Sequence, residues 1–459
     1  MQIRVDKLRK NLSLLLPVVP KKATLPVLTH VRLMDGKLTG TDLETAVSIN
    51  LSEAREAAFL LPLRAAIEVL KYVPGDEMLT LELQTKPASK NFFLKLSWTS
   101  GSAAYAVKDV RDYPEIAFKE PRAEGNLNGD RLVEALVAAL PYCATESTRP
   151  VLTGVTLYLG AVLQVAAADG YRLSFQSLNQ PYPVEEKIVI PAKAITLLEH
   201  LWHREPAPVN LANDLIRQIT QARQFQLSLG DYTEARDGHK PVPQALQIKF
   251  GEISLFSRLI AGTPPDHLAL LNNFQEPVKV KLLAPELYNA VRRVRAIARD
   301  GTGIVRLQWT DSQMTVSARS EETGAVQATV QVEAGSIPGR TALNLTYLLD
   351  YLAGKDGLIT LGKAEGTAPA LFHYGARPIV AIMPMQVQWN EEKPVDGEPK
   401  TVDGKEEVSK EIEGKANNQE SSSEPVAAGA GTAETAAEKP TESGETKDTP
   451  KRRGRRKKA

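Results

Sequence analysis

The residues best placed to do chemistry in this chain are arginines. Arg292, Arg295 and Arg299 recur at i, i+3 and i+7, so on a helix they share one face, while Leu287, Val291, Val294 and Ala298 form another. One face suits a core and the other suits anions or water. Other stretches with helical periodicity also carry basic residues: Lys7, Arg9 and Lys10, then Arg64 and Lys71, then Arg131, then Lys193, His200, His203 and Arg204, with Lys355 after the last. A single basic face is ordinarily a solvated one. Recurrence over six stretches argues for a surface that meets phosphates.

Catalytic chemistry finds no comparable pattern. There is no Gly-x-x-x-x-Gly-Lys loop, no Gly-x-Gly-x-x-Gly opening a helix, no His-Glu-x-x-His and no Gly-x-Ser-x-Gly elbow. His200 and His203 stand at i, i+3, but no carboxylate or cysteine cluster accompanies them, so a solvated or phosphate-facing role is expected rather than a metal site. Cys143 is the sole cysteine; it reads as a small core residue, excludes an intrachain disulfide, and fits the thiol-reducing cytoplasm. Asp42 and Asp169 occupy corresponding places in Gly40-Thr41-Asp42-Leu43 and Ala168-Asp169-Gly170-Tyr171-Arg172-Leu173, and a duplicated Asp at a strand end reads as a turn former. No catalytic residue, metal or cofactor is expected.

The elements that must position these residues are repeated. Thr24-Leu25-Pro26-Val27-Leu28-Thr29-His30-Val31-Arg32-Leu33 returns as Thr148-Arg149-Pro150-Val151-Leu152-Thr153-Gly154-Val155-Thr156-Leu157, and more faintly as Thr302-Gly303-Ile304-Val305-Arg306-Leu307. Each copy follows an amphipathic stretch predicted to be helical (Val5 to Leu16, Gly129 to Leu140, Pro285 to Arg299) and precedes alternating strands and a second helix. The second helices begin in Leu61-Pro62-Leu63-Arg64, Ile190-Pro191-Ala192-Lys193 and Leu343-Asn344-Leu345-Thr346. Three units with two helices each are therefore expected, in an α+β fold.

Composition supports that division. Of 459 residues, those after about Trp389 are dominated by Glu, Lys, Ser, Thr, Gly, Ala and Pro, too apolar-poor to offset ordering entropy by burial. The expected layout is 1–122, 123–275 and 276–389 as three domains, with 390–459 a disordered charged tail. Spacing between copies grows from the first pair to the second, which places an insertion near 206–244. The N-terminal Met1-Gln2-Ile3-Arg4-Val5-Asp6 begins a strand without the apolar stretch of a signal peptide, and no run is long enough to span a bilayer; a soluble cytoplasmic protein is expected. The chain holds 56 basic and 55 acidic residues; the tail accounts for 14 and 16, leaving 42 and 39 in the rest. That balance alone does not announce a nucleic-acid binder.

The chain resembles the bacterial DNA polymerase III beta subunit family, the replicative sliding clamps, over residues 1–387. The motifs that carry the resemblance are Thr24-Leu25-Pro26-Val27-Leu28, Asp169-Gly170-Tyr171-Arg172-Leu173, Asn344-Leu345-Thr346-Tyr347-Leu348-Leu349-Asp350 and Val380-Ala381-Ile382-Met383-Pro384-Met385-Gln386-Val387. The resemblance implies a head-to-tail homodimer whose six domains close a ring, with helices lining a hole for duplex DNA and sheets outside. It implies no catalysis; the clamp tethers the polymerase III catalytic subunit, other clamp-binding polymerases and repair proteins to DNA, and a clamp loader places it there. It further implies a peptide pocket walled by Leu152, Gly170, Tyr171, Arg172 and Leu173 with Asn344, Tyr347, Ile382, Met383, Pro384 and Met385. DNA contacts are implied at Lys21, Lys22 and Arg149 beside the repeated strand starts, joining Arg292, Arg295 and Arg299. A dimer contact is implied between Tyr105 of one subunit and Ala296 and Ile297 of the other.

The sequence departs from the family pattern in three places. Ala168 and Tyr171 stand where a Thr and a His are usual; Pro264-Pro265-Asp266-His267-Leu268-Ala269 lacks two arginines of the usual pocket rim; and the insertion contains Gln226-Leu227-Ser228-Leu229, which looks like a clamp-binding peptide but is predicted to be an amphipathic strand. Two other readings compete with a clamp. An enzyme of nucleic-acid metabolism would need a carboxylate or His cluster, and a protein-only repeat scaffold would not need Arg292, Arg295 and Arg299 on one face.

Overall fold

The computed structural model describes residues 1–85, 92–116, 118–119, 121–146, 148–204, 223–232, 241–274, 278–333, 336–363 and 366–389. The tail 390–459 and, within the insertion 206–244, residues 206–222 and 233–240 lie outside the described residues, and so do the expectations placed on them.

One string of elements occurs three times. The first copy is β1 (Gln2–Arg4), α1 (Val5–Leu15), β2 (His30–Met34), β3 (Lys37–Thr41), β4 (Thr45–Asn50), β5 (Phe59–Pro62), α2 (Leu63–Leu70), β6 (Met78–Thr85), β7 (Phe92–Trp98) and β8 (Gly101–Val107). The second is β9 (Ala123–Asn128), α3 (Gly129–Ala139), β10 (Gly154–Leu159), β11 (Leu163–Ala168), β12 (Arg172–Leu178), β13 (Glu186–Pro191), α4 (Ala192–Arg204), β14 (Gln224–Gly230), β15 (Ala245–Phe250) and β16 (Ile253–Arg258). A short α5 (His267–Asn272) intervenes, and its helical form is not legible in Pro264-Pro265-Asp266-His267-Leu268-Ala269. The third copy is β17 (Val278–Leu283), α6 (Ala284–Asp300), β18 (Ile304–Trp309), β19 (Gln313–Ser320), β20 (Gly324–Gln331), β21 (Gly339–Asn344), α7 (Leu345–Leu352), β22 (Leu358–Lys363), β23 (Ala370–His373) and β24 (Ile379–Ile382).

Periodicity explains the helices. On α1 the buried Val5, Leu8, Leu12 and Leu15 recur at helical spacing, and on α6 Leu287, Val291, Val294 and Ala298 are each at most 1% exposed. Burying each larger aliphatic side chain is worth roughly 1.5–3 kcal/mol. Side-chain caps set two starts: Asn128 accepts from the Arg131 N–H at 3.0 Å, and Asn344 accepts from the Thr346 and Tyr347 N–H groups. Asp42 and Asp169 act as the turn formers expected of them. Asp42 accepts from the Glu44 and Thr45 N–H groups, and Asp169 from those of Tyr171 and Arg172. The same turn holds Gly170 at φ +95° and Leu43 at φ +81°, so only the second copy uses the residue that tolerates it.

The strands form four antiparallel sheets, and two of them cross from one copy to the next. One runs β5-β2-β3-β4-β16-β15-β14-β9 and another β13-β10-β11-β12-β24-β23-β22-β17, while β1-β6-β7-β8 and β20-β19-β18-β21 contain four strands each. The seams are β4 with β16, where Val47 faces Leu255, and β12 with β24, where Ser174 faces Val380. The expected strand at Gln226–Leu229 is part of β14; it pairs with both β9 and β15, and Leu227, Ser228 and Leu229 are buried.

Close packing sets the entry to α3. A Cβ on Gly129 would lie 2.2 Å from Trp202 and 2.8 Å from Phe225, and Trp202 is 2% exposed and held edge-on by Phe225 and Phe250. Gly129→Ala is expected to lower stability by about 1–3 kcal/mol through overpacking. Urea unfolding of the variant beside the parent checks this.

Candidate peptide pocket and DNA-facing surface

The expected pocket residues converge where β12 meets β24. Arg172 faces Ile382 and Leu173 faces Ala381 in the ladder, and the Met383 N–H donates to the Tyr171 carbonyl at 2.8 Å. Two residues on, the Met385 N–H donates to the Ala342 carbonyl of β21 at 2.8 Å, which carries the chain toward Asn344 and α7. The strand stops at Ile382, and beyond it Met383 and Met385 are 40% and 38% exposed. They are therefore not the core residues of a last strand, the alternative that alternation alone allows. Pro384 is half-buried between them, whereas Ile382 is fully buried and supports the wall from beneath.

Arg172 ties the two sides together. Its Nε donates to Asp169 at 2.9 Å and its Nη1 to Asp350 of α7 at 2.8 Å, and its guanidinium lies 4.3 Å from the Tyr347 ring centroid and 5.3 Å from that of Tyr142. Burial works against the charge, but Asp350 and Asp169 outweigh it and raise the affinity for the proton. Over this core, Tyr171 stacks on Tyr347 at 6.5 Å with 29° between ring planes. Burial, and secondarily the nearby Asp169, pushes the Cys143 thiol up to about 12. That thiol is buried, as expected of a core residue. Leu152 is 9% exposed, and its carbonyl accepts from Ala144, the residue after Cys143.

Several contributors were not visible as motifs. Leu173, Leu371 and Ala381 form a small buried cluster against which Leu271 and Phe274 pack from α5 and just beyond, with Ala168 from β11. On α5, Leu268 and Leu270 are exposed. The segment that lacks rim arginines thus supplies apolar surface. His267 is 1% exposed and bonded to Tyr158, and burial pushes its pKa down to about 4, so it fixes α5 as a neutral imidazole. Asp350 and Tyr142 both meet Arg172, contacts between distant residues that periodicity cannot reveal.

The expected DNA-facing residues are spread over the fold. Lys21 and Lys22 are exposed before β2, and Arg149 is exposed immediately before the turn Pro150–Leu152 that leads into β10. On α6, Arg292 and Arg299 are exposed, while Arg295 is half-buried and its Nε is buried without a partner among the described residues. At the expected dimer contact, Tyr105 is half-buried with its hydroxyl donating to the Ala65 carbonyl at 3.2 Å; Ala296 is exposed and Ile297 half-buried. Among the described residues no group of three His, Cys, Asp or Glu side chains gathers to hold a metal. No described helix is long and apolar enough to cross a membrane.

Removing Arg172 leaves Asp169 and Asp350 facing each other. Asp350 is 38% exposed, so Arg172→Ala is expected to cost about 2–3 kcal/mol, less than the ~3–5 kcal/mol typical when a fully buried pair loses one partner. A double-mutant cycle with Asp350→Asn, read by denaturant unfolding, isolates the pairwise part.

The models of the DNA polymerase III beta subunit central domain and C-terminal domain match residues 127–266 and 272–361, together half of the chain. The beta sliding clamp of Pseudomonas aeruginosa is 25% identical over 369 residues, covering 76% of this chain and 89% of that protein. That of Bacillus subtilis is 23% identical over 384 residues, covering 79% and 90%. Among solved structures, the DNA polymerase sliding clamp of Pseudomonas aeruginosa matches with a TM-score of 0.69 at 22% identity, and a sliding clamp of Bartonella birtlesii bound to griselimycin with 0.69 at 20%; each covers 84% of this chain and 99% of the other. These structures share its fold. The chain belongs to the family of DNA polymerase III beta subunits, the bacterial beta sliding clamps.

Proposed function

We propose that the protein is a non-catalytic DNA sliding clamp, the processivity factor of a replicative polymerase, working in the cytoplasm as a homodimeric ring of six domains. Its three domains per chain correspond to 1–122, 123–275 and 276–389. The observation that carries this reading is the seam pattern. β4 and β12 hold the same place in successive copies, and each pairs with the equivalent last strand of the next copy, β16 or β24. Among the described residues, that rule leaves β20, the equivalent of β4 and β12, and β8, the equivalent of β16 and β24, each hydrogen-bonded on one side only. Two chains related by a two-fold axis satisfy both edges at once, β20 of each with β8 of the other.

The ladders within the chain also support a register for that pairing. Val326 of β20 is the equivalent of Val47 and Ser174, and Ala103 of β8 is the equivalent of Leu255 and Val380. Antiparallel pairing on the same rule sets Val326 against Ala103, Ala325 against Ala104 and Gly324 against Tyr105. Tyr105 then comes to the base of the partner's sheet, beside Ala296 and Ile297. A chain carrying Ala104→Cys and Ala325→Cys is expected to form a covalent dimer on mild oxidation, since directly opposed residues lie about 4.5–5.5 Å apart at Cβ. Shifting one cysteine to position 102 should abolish the cross-link; a monomer by sedimentation at micromolar concentration would refute the ring.

Within the ring, Lys22, Arg149, Arg292, Arg295 and Arg299 are the proposed phosphate contacts, mild enough in number to hold duplex DNA without base readout. Met383, Pro384, Met385, Tyr171, Leu173 and their neighbours form the proposed site for short peptides of the polymerase III catalytic subunit, the clamp loader, and other polymerases and repair proteins. Exposed methionines adapt to varied partner side chains. Deleting Met383 to Val387 is expected to abolish binding of a Gln-Leu-Ser-Leu-Phe peptide, read by fluorescence anisotropy, and to leave the dimer intact. Unchanged affinity would remove the pocket assignment.

A further inference from the structure

A cleft of about 550 Å³ opens where α1 passes the turn between β15 and β16, at the first seam. Its floor is aliphatic: Leu14, Ile49, Leu51 and Ile253, each at most 3% exposed. Around the floor stand Lys10, Arg55, Asp35 and Glu252, all exposed. Lys7 on the same rim is paired with Glu53. No ion pair is formed by Lys10, Arg55, Asp35 or Glu252 among the described residues, although charges of both signs line one small opening.

The second seam shows what closes such a space. Glu134 holds the place on α3 that Lys10 holds on α1, the sixth residue of each helix. Arg377 lies in the turn between β23 and β24, the counterpart of the turn that carries Glu252. Glu134 and Arg377 form an ion pair at 2.5 Å. At the first seam the signs are reversed and the pair is not made. The cleft also lies at the far end of the strands from the turns that build the peptide pocket. β3 starts just after Gly36 of the cleft and ends at Thr41, next to Asp42, the counterpart of Asp169 beside Gly170 and Tyr171.

We propose that this cleft is a second docking site, distinct from the peptide pocket, for a short protein segment with one aliphatic anchor flanked by an acidic and a basic residue. Four aliphatic side chains line the floor beneath a mostly polar rim, and Lys10 with Arg55 and Asp35 with Glu252 supply complements for the two flanking charges. Because the two sites sit at opposite strand ends, one clamp can carry a partner in each.

The test uses the full-length dimer, labelled at isoleucine and leucine methyls, titrated with acetyl-Glu-Leu-Lys-amide. Saturable NMR shifts are expected at Ile49 and Ile253. The uncharged acetyl-Gln-Leu-Gln-amide should bind about fivefold to tenfold more weakly, since it lacks both exposed charge pairs. The double variant Lys10→Glu with Glu252→Arg reproduces the ion pair of the second seam and should close the cleft, removing the shifts while a Gln-Leu-Ser-Leu-Phe peptide still binds its own pocket. If that variant does not fold, Lys10→Ala should weaken the charged peptide selectively. Absent shifts, equal binding of the uncharged peptide, or shifts that persist in the variants would overturn the proposal.

Discussion

Main-chain hydrogen bonding along sheet edges is the constraint on which the rest of this structure depends. Each copy of the repeat builds two four-stranded sheets, and a four-stranded sheet has an edge whose N–H and C=O groups need partners. Within the chain that need is met twice, by β4 with β16 and by β12 with β24. Once those seams are fixed, α3 meets strands of both eight-stranded sheets, β11 and β12 of one and β9 and β14 of the other. The segments between copies then lie across the seams. Ile116 and Phe118 pack on Ala46 and Phe256 at the first, and Leu271 and Phe274 on Leu173 and Ala381 at the second.

The two seams have equivalent backbones and different surfaces. Lys193 reaches Asp42 across the first, and Arg172 reaches Asp350 across the second. The second buries its cation among Tyr142, Tyr347 and two carboxylates and is flanked by exposed methionines. That combination is what the proposed peptide site rests on. Repetition supplies the scaffold, and the two seams differ at a few side chains.

Much of this was legible in the sequence because it is local or periodic. The repeated Pro-Val-Leu turn, the apolar stripes of α1, α3 and α6, and the paired Asp turns each follow from spacing along the chain, and the helix starts fell within a residue of expectation. The pocket motifs were legible through resemblance to a family. Other features depend on residues far apart in sequence: Asp350 bonding Arg172, Tyr142 beneath it, and Phe274 sealing the cluster of Leu173 and Ala381. The short α5 was also hidden. Its Asp266 cap accepts from the Ala269 N–H, but two prolines before it read as a loop. Arg295 shows the limit of periodicity, since a helical wheel puts it with Arg292 and Arg299 while packing leaves it half-buried.

The central claim is that the free edges β8 and β20 close a ring around DNA. The most direct measurement loads the dimer, cross-linked through Ala104→Cys and Ala325→Cys after loading, onto closed circular DNA with a clamp loader and then raises the salt. A topological link predicts retention on the circle through a high-salt wash, where phosphate contacts are lost, and release when the same DNA is cut once. Equal release from circular and linear DNA would contradict the ring.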